Sequence, residues 1–78
     1  MLTMEERVEK FIKRKVDEHN AVSIGLIYAG DRADYYKGRL TELQELLIDF
    51  MWQLGAKIDF VTVTDERGNE YEKAIIAE

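Results

Sequence analysis

The chain reads as an α+β protein of two layers, with elements in the order α-β-α-β-β and both helices packed on one face of a three-stranded mixed sheet. Three observations predict this. Residues 3–19 and 39–54 repeat apolar side chains at helical spacing, and residues 57–77 form two β-rich runs around a turn sequence. Between the two helical stretches lies an apolar run, residues 21–29, that is too short for a well-buried helix and reads as a strand.

The first helix is expected over residues 3–19, because Met4, Val8, Phe11, Ile12 and Val16 fall within one broad stripe. Thr3, with Glu6 three residues on, matches a capping box, in which hydroxyl and carboxylate each satisfy an otherwise orphan backbone N–H. His19 and Asn20 suit a helix end, since Asn tolerates the left-handed conformation and a polar or cationic His complements the negative terminus. In the strand read over Ala21–Ala29, Gly25 marks either a bulge or a place where a helix crosses close to the backbone.

Gly30–Gly38 then reads as a polar connection, with the alternative that the second helix already begins near Asp31. From Arg39 to Leu54 the helical pattern is the strongest in the chain. Leu40, Leu43, Leu46, Leu47, Phe50, Met51 and Leu54 cover almost half the circumference, and Gly55 closes it. Ile48 and Trp52 stand together one turn apart on its flank, outside the main stripe. Lys57–Thr64 and Asn69–Ala77 form the last two strands, joined by Asp65-Glu66-Arg67-Gly68, where Asp opens a type I turn and Gly supplies the left-handed position. A right-handed crossover would leave the first two strands parallel, and the hairpin would add an antiparallel third.

No composition shift or linker divides the 78 residues, so residues 1–78 are read as one domain. At 46% hydrophobic and 35% charged the chain has the composition of a folded protein, yet a domain this short buries only about 60% of its extended surface. Both faces of the predicted strands carry apolar residues: Ile24 and Leu26 against Ile27, Ile58 and Phe60 against Val61 and Val63, Ile75 against Ile76. Two helices cover one face only. A homodimer through the open sheet or through the Ile48 and Trp52 flank is therefore expected.

Composition also bounds the chemistry. Without cysteine there is no disulfide framework, thiolate metal site or thiol nucleophile, and a cytoplasmic location is the default expectation. The first residues carry acids where an export signal needs bases, and the longest apolar run falls far short of the roughly 20 residues of a membrane helix, so no membrane association is expected. The net charge of −5 is concentrated in the C-terminal half: residues 41–78 carry nine acids and three bases. That balance argues against nucleic acid as a partner and suits a basic protein surface.

The ligand candidate is the stretch following the first predicted strand, where open α/β sheets bind their ligands: Asp31, Arg32, Asp34, Tyr35 and Lys37, with Arg39 just beyond. Its bases near a helix N-terminus could hold an anion, although no phosphate-loop or dinucleotide pattern is present. Tyr36, in the same stretch, packs under the helix stripe in the plainer reading. On the first helix, Arg7, Lys10, Lys13 and Arg14 are interleaved with Glu6, Glu9, Asp17 and Glu18, which favours pairing within the helix, while Lys15 projects into the apolar stripe and needs a partner acid or a route to water. His19 is the sole imidazole and has neither nucleophile nor orienting partner in sequence order. Asp31 and Asp34 lack metal-loop spacing. No catalytic residue, cofactor or metal is expected. The reading is a non-enzymatic protein–protein interaction or adaptor module that dimerises. The alternatives are an acidic imitator of nucleic acid at a basic cleft, carried by Asp49, Asp59, Asp65, Glu66, Glu70 and Glu72, or an anion-binding module using residues 30–39.

Overall fold

A computed structural model describes residues 1–77 and is α+β, with two helices packed against a two-stranded antiparallel hairpin. Helix α1 spans Met4–Ile27, a single 3₁₀ turn covers Gly30–Arg32, and helix α2 spans Ala33–Leu54. Strands β1 (Ile58–Thr64) and β2 (Glu70–Ile76) pair in one continuous register, from Ile58 opposite Ile76 to Thr64 opposite Glu70.

The start of α1 follows the sequence rule. The Glu6 N–H donates to Thr3 Oγ1 at 3.1 Å while Glu6 Oε1 accepts from the Thr3 N–H at 3.4 Å. Its end does not. The stretch 21–29, expected to be a strand, is instead the last part of α1 and the turn after it, so the sheet has two strands rather than three. The reason lies in His19, Asn20 and Ser23. His19 and Ser23 are buried, and with Ile12 and Val16 they continue one stripe at spacings of three and four, so polar residues occupy core-facing positions that a hydrophobicity pattern cannot recognise.

Asn20 is spent on tertiary structure instead of ending the helix. Its Nδ2 donates to the Ala74 C=O at 2.9 Å and its Oδ1 accepts from the Ala74 N–H at 2.7 Å, so one side-chain amide satisfies both peptide groups of a residue in the middle of β2. The strand ladder explains why those groups are free. Backbone bonds from Ala77 N–H to Lys57 C=O and from Asp65 N–H to Asn69 C=O bracket the hairpin. Hydrogen-bonded pairs alternate along an antiparallel ladder, so Ala74 sits opposite Phe60 in a non-hydrogen-bonded pair with its N–H and C=O turned away from β1.

Gly25 stays within α1 because α2 crosses it there. A Cβ added at Gly25 would lie 3.0 Å from the Tyr36 ring. The chain then reverses through Gly30, whose φ of 56° is in the left-handed region. α2 begins earlier than its strongest periodicity and ends where expected, with Gly55 at φ 69° and the Ala56 N–H donating back to the Phe50 C=O at 3.2 Å. In the hairpin turn Gly68 takes φ 83° and its N–H donates to the Asp65 C=O, the three-residue loop in which a type I turn is followed by a left-handed residue.

α1 is the central element, flanked by α2 on one side and β2 on the other. Ile12, Val16, Leu47, Phe50, Ile58 and Ala74 form one buried cluster, with Leu46, Ala56 and Phe60 packed against it. The result is elongated, 41 × 25 × 23 Å, with a radius of gyration of 13.6 Å where a sphere-like domain of this length would have about 11.5 Å. Replacing Asn20 with Ala should strand the Ala74 N–H and C=O together with the His19 ring and cost about 2–4 kcal/mol in denaturant unfolding. An effect below about 0.5 kcal/mol would show that this amide does not hold the hairpin. Gly25→Val forces the Tyr36 ring aside and should cost about 1–3 kcal/mol in the same assay.

Candidate functional site

Two features stand out on the surface: the outer flank of α2, and the outer face and free edge of the hairpin. On α2 the buried arc is occupied by Leu43, Leu47 and Phe50. Stepping 100° per residue places Met51, Ile48 and Trp52 successively around the helix away from that arc. Ile48 is 43% exposed and Trp52 82% exposed, and Met51 is exposed beside them; Leu54, on the side of the buried arc, is exposed as the last residue of the helix. The structure thus adds Met51, read from the sequence as part of the main stripe, to the Ile48 and Trp52 pair.

The hairpin presents its even-numbered residues Ile58, Phe60 and Ala74 to the core cluster. The odd-numbered side chains point the other way by strand alternation. Among these Val61 is 37% exposed and Ile75 is 42% exposed. An apolar outer face therefore survives in the two-stranded sheet.

The residues of the expected ligand stretch are distributed by α2 rather than held in a loop. Asp31 and Arg32 belong to the 3₁₀ turn, and Asp34, Tyr35, Lys37 and Arg39 lie in the first two turns of the helix. Helical rotation puts Asp34 near Lys37 and Tyr35 near Arg39 on different sides. Arg39 is drawn to α1, with Nη2 at 3.7 Å from Glu18 Oε2 and Nη1 at 3.7 Å from Glu42 Oε2. Tyr35 is exposed and meets the edge of the Tyr36 ring at 5.7 Å, while Tyr36 is the residue packed on Gly25. Lys15 resolves its awkward position by pairing with Glu18 at 3.2 Å while its ammonium lies 5.5 Å from the centre of the Phe11 ring.

His19 is fully buried, at 0% exposure. Its Nδ1 lies 2.9 Å from Asn20 Oδ1. Because Asn20 Nδ2 must donate to Ala74, that oxygen is an acceptor, and the imidazole donates to it from Nδ1–H. Nε2 is buried with no partner, and the Phe60 ring stands edge-on at 5.6 Å. This imidazole has a structural post and no reach to solvent. Among the described residues no three His, Asp or Glu side chains converge as a metal site requires, and no helix is long and apolar enough to cross a membrane.

The acids of the C-terminal half are also divided. Glu70 and Glu72 share the face of Ile58 and Phe60, Asp59 lies on the opposite face, and Asp49 is on α2. Asp65 is engaged within the fold. Its Oδ1 accepts from the Asn69 and Arg67 N–H groups, each at 2.8 Å, and its Oδ2 from the Tyr28 hydroxyl at 2.9 Å, so it shapes the turn and ties it to the end of α1. Arg67 lies over the Tyr28 ring at 5.7 Å. No sequence pattern marked this tie, because Tyr28 and Asp65 meet only after the hairpin folds back along α1.

The Asn69 N–H is the strongest influence on the Asp65 carboxyl and lowers its pKa below the ordinary 3.8; desolvation opposes it, and the Tyr28 hydroxyl, the Arg67 N–H and the Asn69 amide lower it further. The unfolded chain therefore takes up this proton first as acid is added. The stability contributed by Asp65 is present above the ordinary value and is lost as pH falls through the lower folded one. In thermal melts between about pH 5 and about pH 2, Asp65→Asn should lose less stability than the parent protein, and superimposable acid profiles would refute the assignment.

Comparison of the chain with protein-family profiles, with curated proteins and with solved structures finds no match.

Proposed function

We propose that this chain is a non-enzymatic protein–protein interaction module, an adaptor that works as a homodimer and offers the outer flank of α2 to a protein partner. The carrying observation is the apolar flank of Ile48, Met51 and Trp52, with Trp52 almost wholly in solvent. Tryptophan is the residue that most often anchors a protein interface, and apolar side chains grouped on one helix side mark such surfaces more often than scattered ones do.

Area supports the same reading. The accessible surface is 5919 Å², against about 4,900 Å² for a compact monomer of this mass. The excess of about 1,000 Å² is comparable to the roughly 800 Å² that each partner contributes to a standard interface. The chemistry agrees: the sole imidazole is enclosed and used structurally, and the charged groups of residues 31–39 are dispersed over the 3₁₀ turn and the first turns of α2. An acidic surface with an apolar patch is suited to a basic, apolar protein partner.

Sedimentation equilibrium should return twice the 9.1 kDa chain mass. A monomer at every concentration would remove the dimer from the proposal. For the partner, Trp52→p-benzoylphenylalanine irradiated in extract of the native host should cross-link to a distinct polypeptide, and adding Ile48→Glu should abolish the product. Cross-links to a second copy of the chain alone would reassign the flank to self-association.

A further inference from the structure

The two edges of the hairpin are treated differently by the fold. The β2 edge is closed at its centre by Asn20, which occupies both peptide groups of Ala74. The β1 edge has no such cover. The alternation that turns Ala74 outward on β2 turns the N–H and C=O of Phe60, Thr62 and Thr64 outward on β1, and among the described residues none of these groups has a hydrogen-bond partner. Thr62 and Thr64 are exposed.

An open edge of this kind is a template for another strand, and natural proteins usually blunt it with Pro, Lys, a bulge or a covering segment. β1 reads Ile-Asp-Phe-Val-Thr-Val-Thr and has none of the first three, only one charge, and a composition dominated by β-formers. We propose that β1 pairs with β1 of a second copy, antiparallel across a two-fold axis, to join the two hairpins into a continuous four-stranded sheet. This inference rests on the homodimer reading above and names its seam.

Self-pairing is favoured over an unrelated strand because the edge is complementary to itself. With the axis at Val61, the outward groups of Phe60 meet those of Thr62 in the partner and the reverse, so four backbone hydrogen bonds form from groups that are otherwise unpaired. Val61 faces its own copy on the outer side of the sheet and extends the apolar surface it already shares with Ile75. The same register sets Asp59 against Val63. A shift that placed the axis at Thr62 would set Asp59 against Asp65, two acids in direct opposition. The α2 flank is left free for a different partner.

The natural chain has no cysteine, so single substitutions report the seam cleanly. Across the axis, Val61 and its copy form a non-hydrogen-bonded pair, whose Cα atoms are about 4.5 Å apart and within disulfide reach. Mild oxidation of Val61→Cys should therefore give a covalent dimer under conditions where Trp52→Cys gives none. Independently, the Phe60 and Thr62 amide protons should exchange more slowly in the dimer than after dilution to monomer. Thr62→Pro, which removes an outward N–H without touching the bonds to β2, should halve the mass while near-native circular dichroism is retained. If the wild type sediments as a dimer, yet Val61→Cys fails to cross-link and the two amides exchange freely, the seam is overturned and the homodimer stands. Cross-linking through Trp52→Cys instead would place the dimer on α2 and also overturn it. A wild type that stays monomeric would remove both.

Discussion

The Asn20 amide, bonded to both peptide groups of Ala74, fastens the hairpin to α1. A two-stranded hairpin is marginal in water by itself and needs a third strand or a helix against it. Here a helix side chain does the work that a third strand's peptide would do, at 2.7 and 2.9 Å, in the centre of β2. The same oxygen that receives the Ala74 N–H also receives the His19 ring, so one atom orients the buried imidazole and registers the hairpin on α1. Ile12 and Val16 on α1, and Ile58 and Ala74 on the strands, then pack in a single cluster with Leu47 and Phe50 of α2.

That constraint also decides which surfaces are left over. Because α1 lies between α2 and β2, it is enclosed on both sides, whereas α2 and β1 each keep an outward side. The outward side of α2 carries Ile48 and Trp52, and the outward side of the hairpin carries Val61 and Ile75. Among the described residues no further element covers them. The elongated shape and the large surface for its mass are the geometric expression of the same shortage. These surfaces have different chemistry: a helix side offers side chains alone, while a strand edge offers a row of backbone donors and acceptors, so they suit different partners.

The hairpin turn gives the second tie. Asp65 gathers the Arg67 and Asn69 N–H groups and the Tyr28 hydroxyl around one carboxylate, which closes the turn and anchors it to the far end of α1. With Asn20 holding the middle of β2 and Asp65 holding the turn, the hairpin is attached to one helix at two separated points. Its acidic side chains are divided between the two faces, which spreads the negative charge instead of concentrating it.

The capping box at Thr3 and Glu6, the close of α2 at Gly55 and the turn at Asp65–Gly68 were all legible in the amino-acid order, because each is set by residues close together in the chain, and a turn between two β-rich runs implies the pairing of the last two strands. The flank of Ile48 and Trp52 was legible too, since helical spacing alone separates it from the Leu43, Leu47 and Phe50 stripe. The fate of residues 20–29 was not. Asn20 carries the local signature of a helix end, and the apolar run after it fits a strand or a helix equally well. Its partner is Ala74, more than fifty residues away, and only the packed hairpin supplies the peptide groups that divert the amide from its local role. Neighbouring residues thus set the caps, the turn and the hairpin, whereas α1 runs on to Ile27 and the sheet keeps two strands in the packed chain, where Asn20 meets a strand that only folding brings to it.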